Sequence, residues 1–388
     1  MLKKDLKIAL VHDFLVQYGG AERVLEVISE MFPEAPIYTL LYDKEKQGNK
    51  FRNKEIRTSY LQKFPKFLRK HYQWLLPFFM VAPETFDLRD FDMVISSTGA
   101  WSKGIIARLN TIHISYLHSP MRFVWDHNEE YLKEEKKRCF FARIILNYVR
   151  MWDKLAAERP DYLIANSKYT QSRISKYYRR SSTVIYPPAY DENKDFKFQI
   201  PNPKSETNLN NQTTNYKLQA TNYFLIVSRL SPYKKVDLAI EAFNKLGLPL
   251  VVIGEGKQKK YLEKIAKDNI KILGWVDENK LRDYYSKARA FIFPSCDDFG
   301  MTIVEAMSYG VPVIAYEKGG ALEIIEEGKT GEFFEAQTAE VLADGVRRLM
   351  ENENNYKKED IINKAREFSV DRFKRELREF INKVIRFN

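Results

Sequence analysis

The sequence predicts an α/β protein built from two doubly wound, mostly parallel sheets that face each other across a cleft. Three observations lead to this expectation. The chain has 388 residues, which is more than one typical hydrophobic core accommodates, so two domains are expected. In both halves, short β-rich apolar runs alternate with amphipathic stretches, the pattern of repeated βαβ units. A polar segment of low complexity, residues 199–222, separates the two halves.

The elements follow this plan in order. In the first half, the predicted strands are LKIALVHDF, PIYTLLY, DMVISST, HISYLH, DYLIANS and STVIYPP, and AERVLEVISEMF and ARIILNYVRMWDKLAAE have helical periodicity. In the second half, the predicted strands are YFLIVSR, PLVVIGEG, IKILGW, AFIFPS and VPVIAY, each followed by a helical stretch. We therefore predict domains over residues 1–198 and 223–369, joined by a linker or insertion at 199–222. A terminal helix, residues 370–388, should pack back on the first domain.

Composition limits the kinds of protein that the chain can be. Its two cysteines, Cys139 and Cys296, lie in no CxxC or Cys/His cluster, so neither a disulfide scaffold nor a zinc site is indicated. We find no signal peptide and no apolar run long enough to cross a bilayer, and we expect a cytoplasmic location. The formal net charge of +11 favours anionic partners, which include nucleotides, nucleic acids and acidic lipid surfaces.

Positive charge is concentrated between Lys50 and Tyr72, which hold eight Lys or Arg residues and one acid. The window KFPKFLRKHYQWLLPFFM interleaves these cations with aromatic and apolar residues. That mixture suits a segment on a membrane surface, and the simpler alternative is a solvated basic helix followed by a core segment. We predict peripheral contact with the anionic inner face of the cytoplasmic membrane through Lys63, Lys66, Phe67, Arg69, Lys70 and Trp74.

Several loops have the chemistry of a nucleotide site. In open parallel sheets, ligands bind beyond the carboxyl ends of the strands, where helix N-termini attract phosphate. Gly19 and Gly20 of YGGAERV occupy such a position, although paired glycines at a turn are often only structural. Arg229 and Lys234 follow a predicted strand in VSRLSPYKKVD, and two cations there can neutralise a diphosphate; ordinary surface charge is the alternative. Gly254 of VVIGEGKQ marks a further loop where backbone amides could meet a base or a phosphate.

The run PSCDDFGMTIVEAMSYGVPVIA carries two acids in an otherwise apolar strand, loop and helix. Glu305 should fall about one turn inside the helix, where a carboxylate can accept two hydrogen bonds from a ribose diol. Asp297 lies on the preceding loop and can reach sugar hydroxyls. Either Asp297 or Asp298 could instead cap the helix, and Glu305 could face solvent. Because a buried, unpaired acid is costly, we prefer the ligand-binding interpretation.

These segments together resemble the family 4 retaining glycosyltransferases, which have the two-domain, Rossmann-like GT-B fold. PSCDDFGMTIVEAMSYGVPVIA resembles their E-x7-E signature, with Asp297 as a shorter first acid, and SRLSPYKKVDLAIEAF resembles their diphosphate segment. GGAERV, SYLHSPMRFVWD, ANSKYT, VIYPP and VIGEG occur in the family's order, so the resemblance covers nearly the whole chain. YLHSPMRFVWD and SPYKKVDLAI look most like the branch with WbaZ-type O-antigen mannosyltransferases.

The resemblance implies a role for each matching residue. Arg229 and Lys234 would hold the donor diphosphate, Glu305 would hold the ribose diol, and Asp297 would contact the transferred sugar. His118 of LHSP would lie beside the sugar, near the reacting carbon, and we expect it to act in catalysis with Arg229, Lys234 and Asp297. The remaining donor-binding positions are Gly19, Gly20, Gly254, Phe299, Gly300 and Met301.

We therefore expect a retaining glycosyltransferase that moves a hexose, mannose from GDP-mannose, to a lipid-linked or saccharide acceptor in cell-surface polysaccharide or glycolipid synthesis. A UDP-sugar-dependent enzyme of the same fold is one alternative, and a non-enzymatic nucleotide-sugar or nucleic-acid-binding protein is another. The D-x-D pair Asp90 and Asp92 precedes a predicted strand, at the end away from the ligand loops. We assign it a structural role and expect no metal or other cofactor. The GxGxxG of a nucleotide-dependent oxidoreductase is missing from the first half, and the clustering of cations near 50–72 does not favour a nucleic-acid groove.

Overall fold

The structure, a computed structural model, describes residues 6–47, 50–70, 75–126, 139–191 and 223–387. The predicted insertion at 199–222 lies outside the described residues. The chain divides into two units, of which the first combines Met1–Pro188 with Asp371–Asn388 and the second is Ala189–Val370. Each unit is organised around one parallel sheet, which confirms the predicted class of two doubly wound α/β domains.

The first unit contains a sheet of seven parallel strands. These are β1 (Ile8–Leu15), β2 (Ile37–Tyr42), β3 (Ile56–Thr58), β4 (Met93–Thr98), β5 (Ile112–Leu117), β6 (Tyr162–Ala165) and β7 (Thr183–Val184). Their order, β3-β2-β1-β4-β5-β6-β7, reverses direction between β1 and β4. Ligand sites of such sheets lie at this reversal, beyond the carboxyl ends of the two strands. There the register sets His12 of β1 beside Ser97 of β4.

Helices of the first unit cover both faces of this sheet. They are α1 (Gly20–Met31), α2 (Lys44–Gln47), α3 (Lys66–Lys70), α4 (Leu76–Phe79), α5 (Arg122–Trp125), α6 (Cys139–Ala156) and α7 (Lys168–Tyr178), with 3₁₀ turns at Tyr60–Lys63, Ala82–Thr85 and Ser102–Gly104. One buried cluster joins Val11 and Val94 of the strands with Leu61, Phe79 and Val149. In the part of the chain that the structure describes, no helix has the length and apolarity needed to cross a bilayer.

The second unit repeats the plan with six parallel strands. They are β8 (Tyr223–Val227), β9 (Leu250–Ile253), β10 (Ile270–Gly274), β11 (Ala288–Phe293), β12 (Val313–Tyr316) and β13 (Gly331–Phe334), in the order β10-β9-β8-β11-β12-β13. The helices are α8 (Val236–Leu246), α9 (Lys259–Ile265), α10 (Glu278–Lys287), α11 (Met301–Ser308), α12 (Ala321–Ile324), α13 (Ala339–Glu351) and α14 (Lys358–Arg366), with 3₁₀ turns at Pro232–Lys234 and Glu353–Asn355. Here the order reverses between β8 and β11, the strands that precede the Arg229–Lys234 and Asp297 loops.

The last helix, α15 (Val370–Phe387), returns the chain to the first unit. The Phe373 ring meets the buried Tyr116 edge-on, with their centroids 5.8 Å apart. Arg372 donates to the carbonyl oxygen of Tyr186 over 2.8 Å. Lys374 pairs with Glu30 of α1 at 2.7 Å.

Two strands, β3 and β13, are absent from the prediction. Both lie at a sheet edge, where a strand packs beside only one other strand and its composition is less strongly β-forming. Strand β3 has three residues, two of them exposed, and it falls in the basic stretch that reads as polar surface. Strand β13, GEFF, is fully buried, but its Gly and Glu are poor strand formers. Glu332 is accommodated there because Arg348 donates to it over 2.6 Å.

Candidate functional site

Lys234 lies beyond the carboxyl end of β8, in the 3₁₀ turn that Pro232 begins. The amide of Lys234 donates to the Ser231 carbonyl over 3.0 Å, which closes the turn. The ammonium lies 5.3 Å from the ring centroid of Tyr233 and 5.9 Å from that of Phe293. Aromatic faces attract a cation and restrict its position. The turn and the two aromatic rings therefore hold the Lys234 ammonium in place at this edge of the sheet.

Lys234 and Asp297 form an ion pair across the two loops at the reversal of strand order. The ammonium contacts Oδ2 of Asp297, and only 14% and 15% of the two side chains are exposed. The structure thus brings together two residues that the sequence analysis assigned to neighbouring parts of one ligand. Arg229 is exposed on the same loop as Lys234, and its guanidinium donates to the Tyr233 hydroxyl over 3.2 Å.

Two glycines after β12, which were not predicted from sequence, fix the backbone of the Asp297 loop. The amide of Gly320 donates to the Asp297 carbonyl over 2.9 Å. A Cβ at Gly319, whose φ is +75°, would lie 2.4 Å from that carbonyl oxygen, and one at Gly320 would lie 2.3 Å from Cα of Phe299. Only glycine permits such a close approach. Two adjacent glycines shortly after the predicted strand VPVIAY were the sequence feature that could have indicated this close backbone contact.

Helix α11 begins after this loop and carries Glu305. The Tyr285 hydroxyl donates to Oε2 of Glu305 over 2.9 Å, and Tyr285, which is 2% exposed, stacks on Tyr309 with centroids 5.8 Å apart. Glu305 is half-buried, and one of its carboxylate oxygens is held by this contact. A buried, stacked phenol therefore limits the rotamers of this carboxylate.

The alternative that Asp297 or Asp298 caps α11 is wrong. The N-cap is Gly300, at φ 108°, with no capping side chain. The loop turns through a left-handed conformation there, which suits glycine. Phe299 is 3% exposed and packs edge-on against Phe368, with centroids 5.3 Å apart. Phe299, Gly300 and the half-buried Met301 therefore lie where α11 begins, and their donor contacts stay predictions.

Gly254 lies beyond β9 under a strict steric constraint. A Cβ there would lie 1.8 Å from the Ser228 carbonyl oxygen, so the glycine lets the β8 and β9 loops pack together. Its amide donates to the Gly274 carbonyl over 2.8 Å. This amide already has an acceptor within the protein. Any contact of Gly254 with a nucleotide-sugar donor therefore has to involve another atom of the residue.

In the first unit, Gly19 and Gly20 begin α1 as predicted, but a carboxylate occupies the Gly19 amide. Gly19 is the N-cap, and its amide donates to Oε2 of Glu22 over 2.9 Å. Glu22 is 5% exposed, and its other oxygen lies 3.9 Å from Nε2 of His12. The side chain of Glu22 therefore satisfies one of the amides that the sequence analysis assigned to phosphate binding.

A chain of polar contacts runs from Glu22 to His118. Nδ1 of His12 lies 2.8 Å from the Ser97 carbonyl oxygen and 3.2 Å from its hydroxyl. The Ser97 hydroxyl lies 2.8 Å from Nε2 of His118. With the His12 hydrogen directed at Ser97, the Ser97 hydroxyl can donate to His118, which places the hydrogen of neutral His118 on Nδ1. His118 is half-buried at the end of β5, and Ser97 was not predicted from sequence.

Asp13 organises the loop after β4, and it too was missed. Its carboxylate accepts one hydroxyl and four amide hydrogen bonds of 2.7–2.9 Å, from Thr98, Gly99, Ala100, Trp101 and Ser102. Burial alone would raise the pKa of Asp13, but His12 and the backbone amides outweigh burial and hold the pKa below its ordinary value. An acid inside a predicted strand was a weak signal, because its partners lie 85–89 positions away.

The predicted membrane segment is only partly described. Lys63, Lys66 and Phe67 are exposed, with Phe67 at 59%, while Arg69 is half-buried and donates to the Phe64 carbonyl over 3.0 Å. Trp74 and the side chain of Lys70 lie outside the described residues.

Asp92, of the D-x-D pair, accepts a hydrogen bond from the Lys7 amide over 2.9 Å at the start of β4, which is a structural contact.

Comparison with protein families identifies both halves of the chain. The family "Glycosyltransferase Family 4" matches residues 18–193, and "Glycosyl transferases group 1" matches residues 210–368. The chain belongs to the family 4, group 1 glycosyltransferases. The expected resemblance is confirmed at this level, and the finer WbaZ-like branch stays a prediction.

Individual relatives of this glycosyltransferase are distant. An uncharacterized glycosyltransferase of Methanocaldococcus jannaschii is 24% identical over 90% of this chain and 89% of its own. A GDP-mannose-dependent alpha-(1-6)-phosphatidylinositol monomannoside mannosyltransferase of Mycobacterium tuberculosis is 28% identical over 47% of this chain and 51% of its own. The crystal structure of Anabaena HepE in complex with UDP-glucose covers 98% of this chain and 100% of its own, with a TM-score of 0.67 and 19% identity. This likeness assigns the GT-B fold to the two units.

Proposed function

We propose that this glycosyltransferase transfers a hexose, mannose from GDP-mannose, to a lipid-linked or saccharide acceptor in cell-surface polysaccharide or glycolipid synthesis. The observation that carries the proposal is the arrangement in the second unit. There Lys234 contacts Asp297 on adjacent loops, and Tyr285 holds Glu305 one turn inside the following helix. The GDP-mannose-dependent relative of M. tuberculosis supports the choice of donor.

In this proposal, the second unit stabilises the leaving nucleotide. Arg229 and Lys234 neutralise charge that develops on the diphosphate when the bond to the sugar breaks. The first turn of α11 adds amides and the positive end of its dipole. Two cations and a helix N-terminus can supply this electrostatic stabilisation, so we propose a metal-independent reaction.

The remaining roles follow the chemistry of each side chain. Glu305 accepts hydrogen bonds from the ribose diol, and Asp297 accepts them from hydroxyls of the transferred sugar. The reaction proceeds with retention, by attack of the acceptor on the face from which the nucleotide leaves, and the leaving phosphate oxygen takes the acceptor's proton. His118, held by Ser97, orients the sugar and stabilises charge near the reacting carbon.

A UDP-sugar donor is the second candidate. It is supported by the structural similarity to HepE, whose crystal structure contains UDP-glucose. Arg229, Lys234 and Glu305 would serve a UDP-sugar equally well, because they would contact the diphosphate and the ribose, which the two donors share.

A panel of nucleotides decides between the donors. Thermal stabilisation is measured with GDP-mannose, GDP, UDP-glucose and UDP, and donor hydrolysis is followed with and without a chelator. We expect GDP and GDP-mannose to raise the melting temperature and GDP-mannose to be hydrolysed with the chelator present. Stabilisation by UDP-glucose alone would replace the proposed donor. Loss of hydrolysis in the chelator, restored by added Mg²⁺ or Mn²⁺, would contradict the metal-independent reaction.

We also propose that the enzyme works at the inner face of the cytoplasmic membrane, where a lipid-linked acceptor would be found. The exposed Lys63, Lys66 and Phe67 support this location, because cations beside bulky apolar groups favour anionic lipid surfaces. Replacing Lys66, Arg69 and Lys70 with Ser should weaken binding to anionic vesicles. Unchanged binding of that variant would exclude this segment as the contact.

A further inference from the structure

Helix α6 leaves a long apolar stripe exposed on the first unit. Ile144, Tyr148, Met151 and Leu155 follow the spacing i, i+4, i+7 and i+11, which places them on one face of the helix, with Ile145 beside them. The exposed fractions are large for such side chains, 40% for Ile144, 46% for Ile145, 62% for Tyr148, 53% for Met151 and 59% for Leu155. Contiguous apolar patches of this kind usually mark an interaction surface.

The other face of α6 is fixed to the core, so the stripe cannot turn inward. Val149 is fully buried, and Leu146 and Trp152 pack against the same cluster. Asp153 is also fully buried. It forms an ion pair with Lys103 at 2.5 Å and accepts a hydrogen bond from the Trp125 indole at 2.7 Å.

Asp153 has a third partner in the Tyr178 hydroxyl, at 2.8 Å. These three contacts of the buried carboxylate fix the rotation of the helix about its axis.

The charges on α6 point to an anionic partner. Arg143 and Lys154 are exposed on the helix, and Arg150 is half-buried and donates to the Val124 carbonyl over 2.8 Å. The single acid of the helix is the buried Asp153. A second copy of the chain docked symmetrically on the stripe would bring the cations of α6 toward their own copies, and the buried Asp153 of the helix could not pair with them. An anionic surface would meet both the apolar and the cationic groups favourably.

The predicted membrane segment lies on the same side of the first unit as α6. Leu61 and Phe79 share a buried cluster with Val149, and Phe64 and Leu146 pack against it. Nearby residues of this segment also expose apolar side chains, with 59% of Phe67 and 46% of Phe78 accessible. The two elements therefore cover one hydrophobic cluster and present their outer faces beside it.

We propose that the α6 stripe inserts into the interfacial region of an anionic phospholipid bilayer, with the cations of α6 at the headgroups. A helix with apolar side chains on one outer face and flanking Lys and Arg is the usual form of an interfacial element. Apolar insertion resists salt, whereas attraction between cations and headgroups weakens as salt is added. The proposal does not depend on the identity of the sugar donor.

The test measures co-sedimentation of the full chain with vesicles of phosphatidylglycerol and phosphatidylcholine, at low salt and at 0.5 M salt. The variant carries Ile144→Ser, Tyr148→Ser, Met151→Ser and Leu155→Ser. We expect its partition coefficient to fall by about tenfold or more, with the loss persisting at high salt. Because its positions are exposed, the variant should keep the parent's circular dichroism and its thermal stabilisation by nucleotide.

A matched control carries Leu109→Ser and Tyr261→Ser, two exposed apolar positions elsewhere, at 101% and 49%, and should bind vesicles like the parent. The single variants Tyr148→Ser and Leu155→Ser should each show part of the loss, so the test survives if the fourfold variant misfolds. Equal binding by the parent and the stripe variants at both salt concentrations would overturn the proposal. So would a parent dimer that the stripe variant converts to a monomer while vesicle binding stays unchanged. If no nucleotide bound the protein, the proposed function would be contradicted, while the vesicle-binding result would still decide this proposal.

Discussion

Asp13→Asn is the sharpest single perturbation that the first unit offers. In the parent, Oδ1 accepts hydrogen bonds from the Thr98 hydroxyl and from the amides of Trp101 and Ser102. Oδ2 accepts hydrogen bonds from the amides of Gly99 and Ala100, both over 2.8 Å. Asparagine keeps the shape of the side chain but replaces one oxygen with an NH₂ group. In either orientation, that group faces at least two amide donors and can accept from neither.

The magnitude follows from those two amides. A buried donor left without an acceptor costs roughly 1–3 kcal/mol, so two would cost about 2–6 kcal/mol. Gly99 and Ala100 are half-buried, and water can offset part of the loss when the NH₂ group faces them. The lower end of the range, about 2–3 kcal/mol, is therefore expected for the free energy of unfolding of the first unit.

Urea unfolding followed by circular dichroism across a pH series measures the effect. The pKa of folded Asp13 lies below its ordinary value of 3.8, so its stabilising contribution is fully present above that value. It is lost as the pH falls through the folded-state pKa, and the gap between parent and variant should close there. Asp87→Asn, at an exposed Asp87–Arg89 pair, is the matched control. A gap under about 1 kcal/mol at pH 7 would refute the assigned hydrogen-bond role.

Substitutions at three further positions test the site. Lys234→Ala should weaken donor binding by roughly tenfold or more, since charge-assisted contacts contribute about 1.5–3 kcal/mol; isothermal titration that finds parent affinity would exclude a diphosphate contact. Tyr285→Phe should raise KM for the donor about threefold to tenfold with kcat nearly unchanged, because Glu305 loses one neutral hydrogen bond; an unaltered KM would remove the positioning role. Ser97→Ala should lower kcat and shift its pH profile while leaving nucleotide affinity intact, because His118 loses its partner, and Ser97→Thr should restore part of the rate; an identical profile would contradict this coupling.

The sequence predicts the central strands well because they are buried on both faces. Such strands read as continuous apolar runs, and every predicted run contains an observed strand. The two misses, β3 and β13, are the edges next to β2 and β12. Edge strands have one hydrogen-bonded neighbour, so their composition is set by whatever packs on them, such as the Arg348 contact with Glu332.

Some residues of the site could be predicted from the local sequence, whereas others depend on contacts between distant parts of the chain. Lys234 and Asp297 could be placed near one another because each follows a strand at the reversal of order in a doubly wound sheet. The partners of Asp13 and His12 could not, since the contacts join positions 85 apart through the register of β1 and β4. The N-cap of α11 was misassigned because Asp-Asp before a helix favours a side-chain cap, while Gly300 supplies a left-handed turn instead.

The two units differ in how their backbone amides are used, and this difference bears on where a phosphate can bind. In the first unit, Glu22 occupies the Gly19 amide, and Asp13 occupies the four amides after β4. Each carboxylate places a negative charge where a phosphate would otherwise be attracted. In the second unit, Asp297, on the loop after β11, is paired with the ammonium of Lys234. A diphosphate that contacted this ammonium would compete with a side-chain carboxylate and would not disrupt a backbone turn, which supports the proposal that the second unit neutralises the donor.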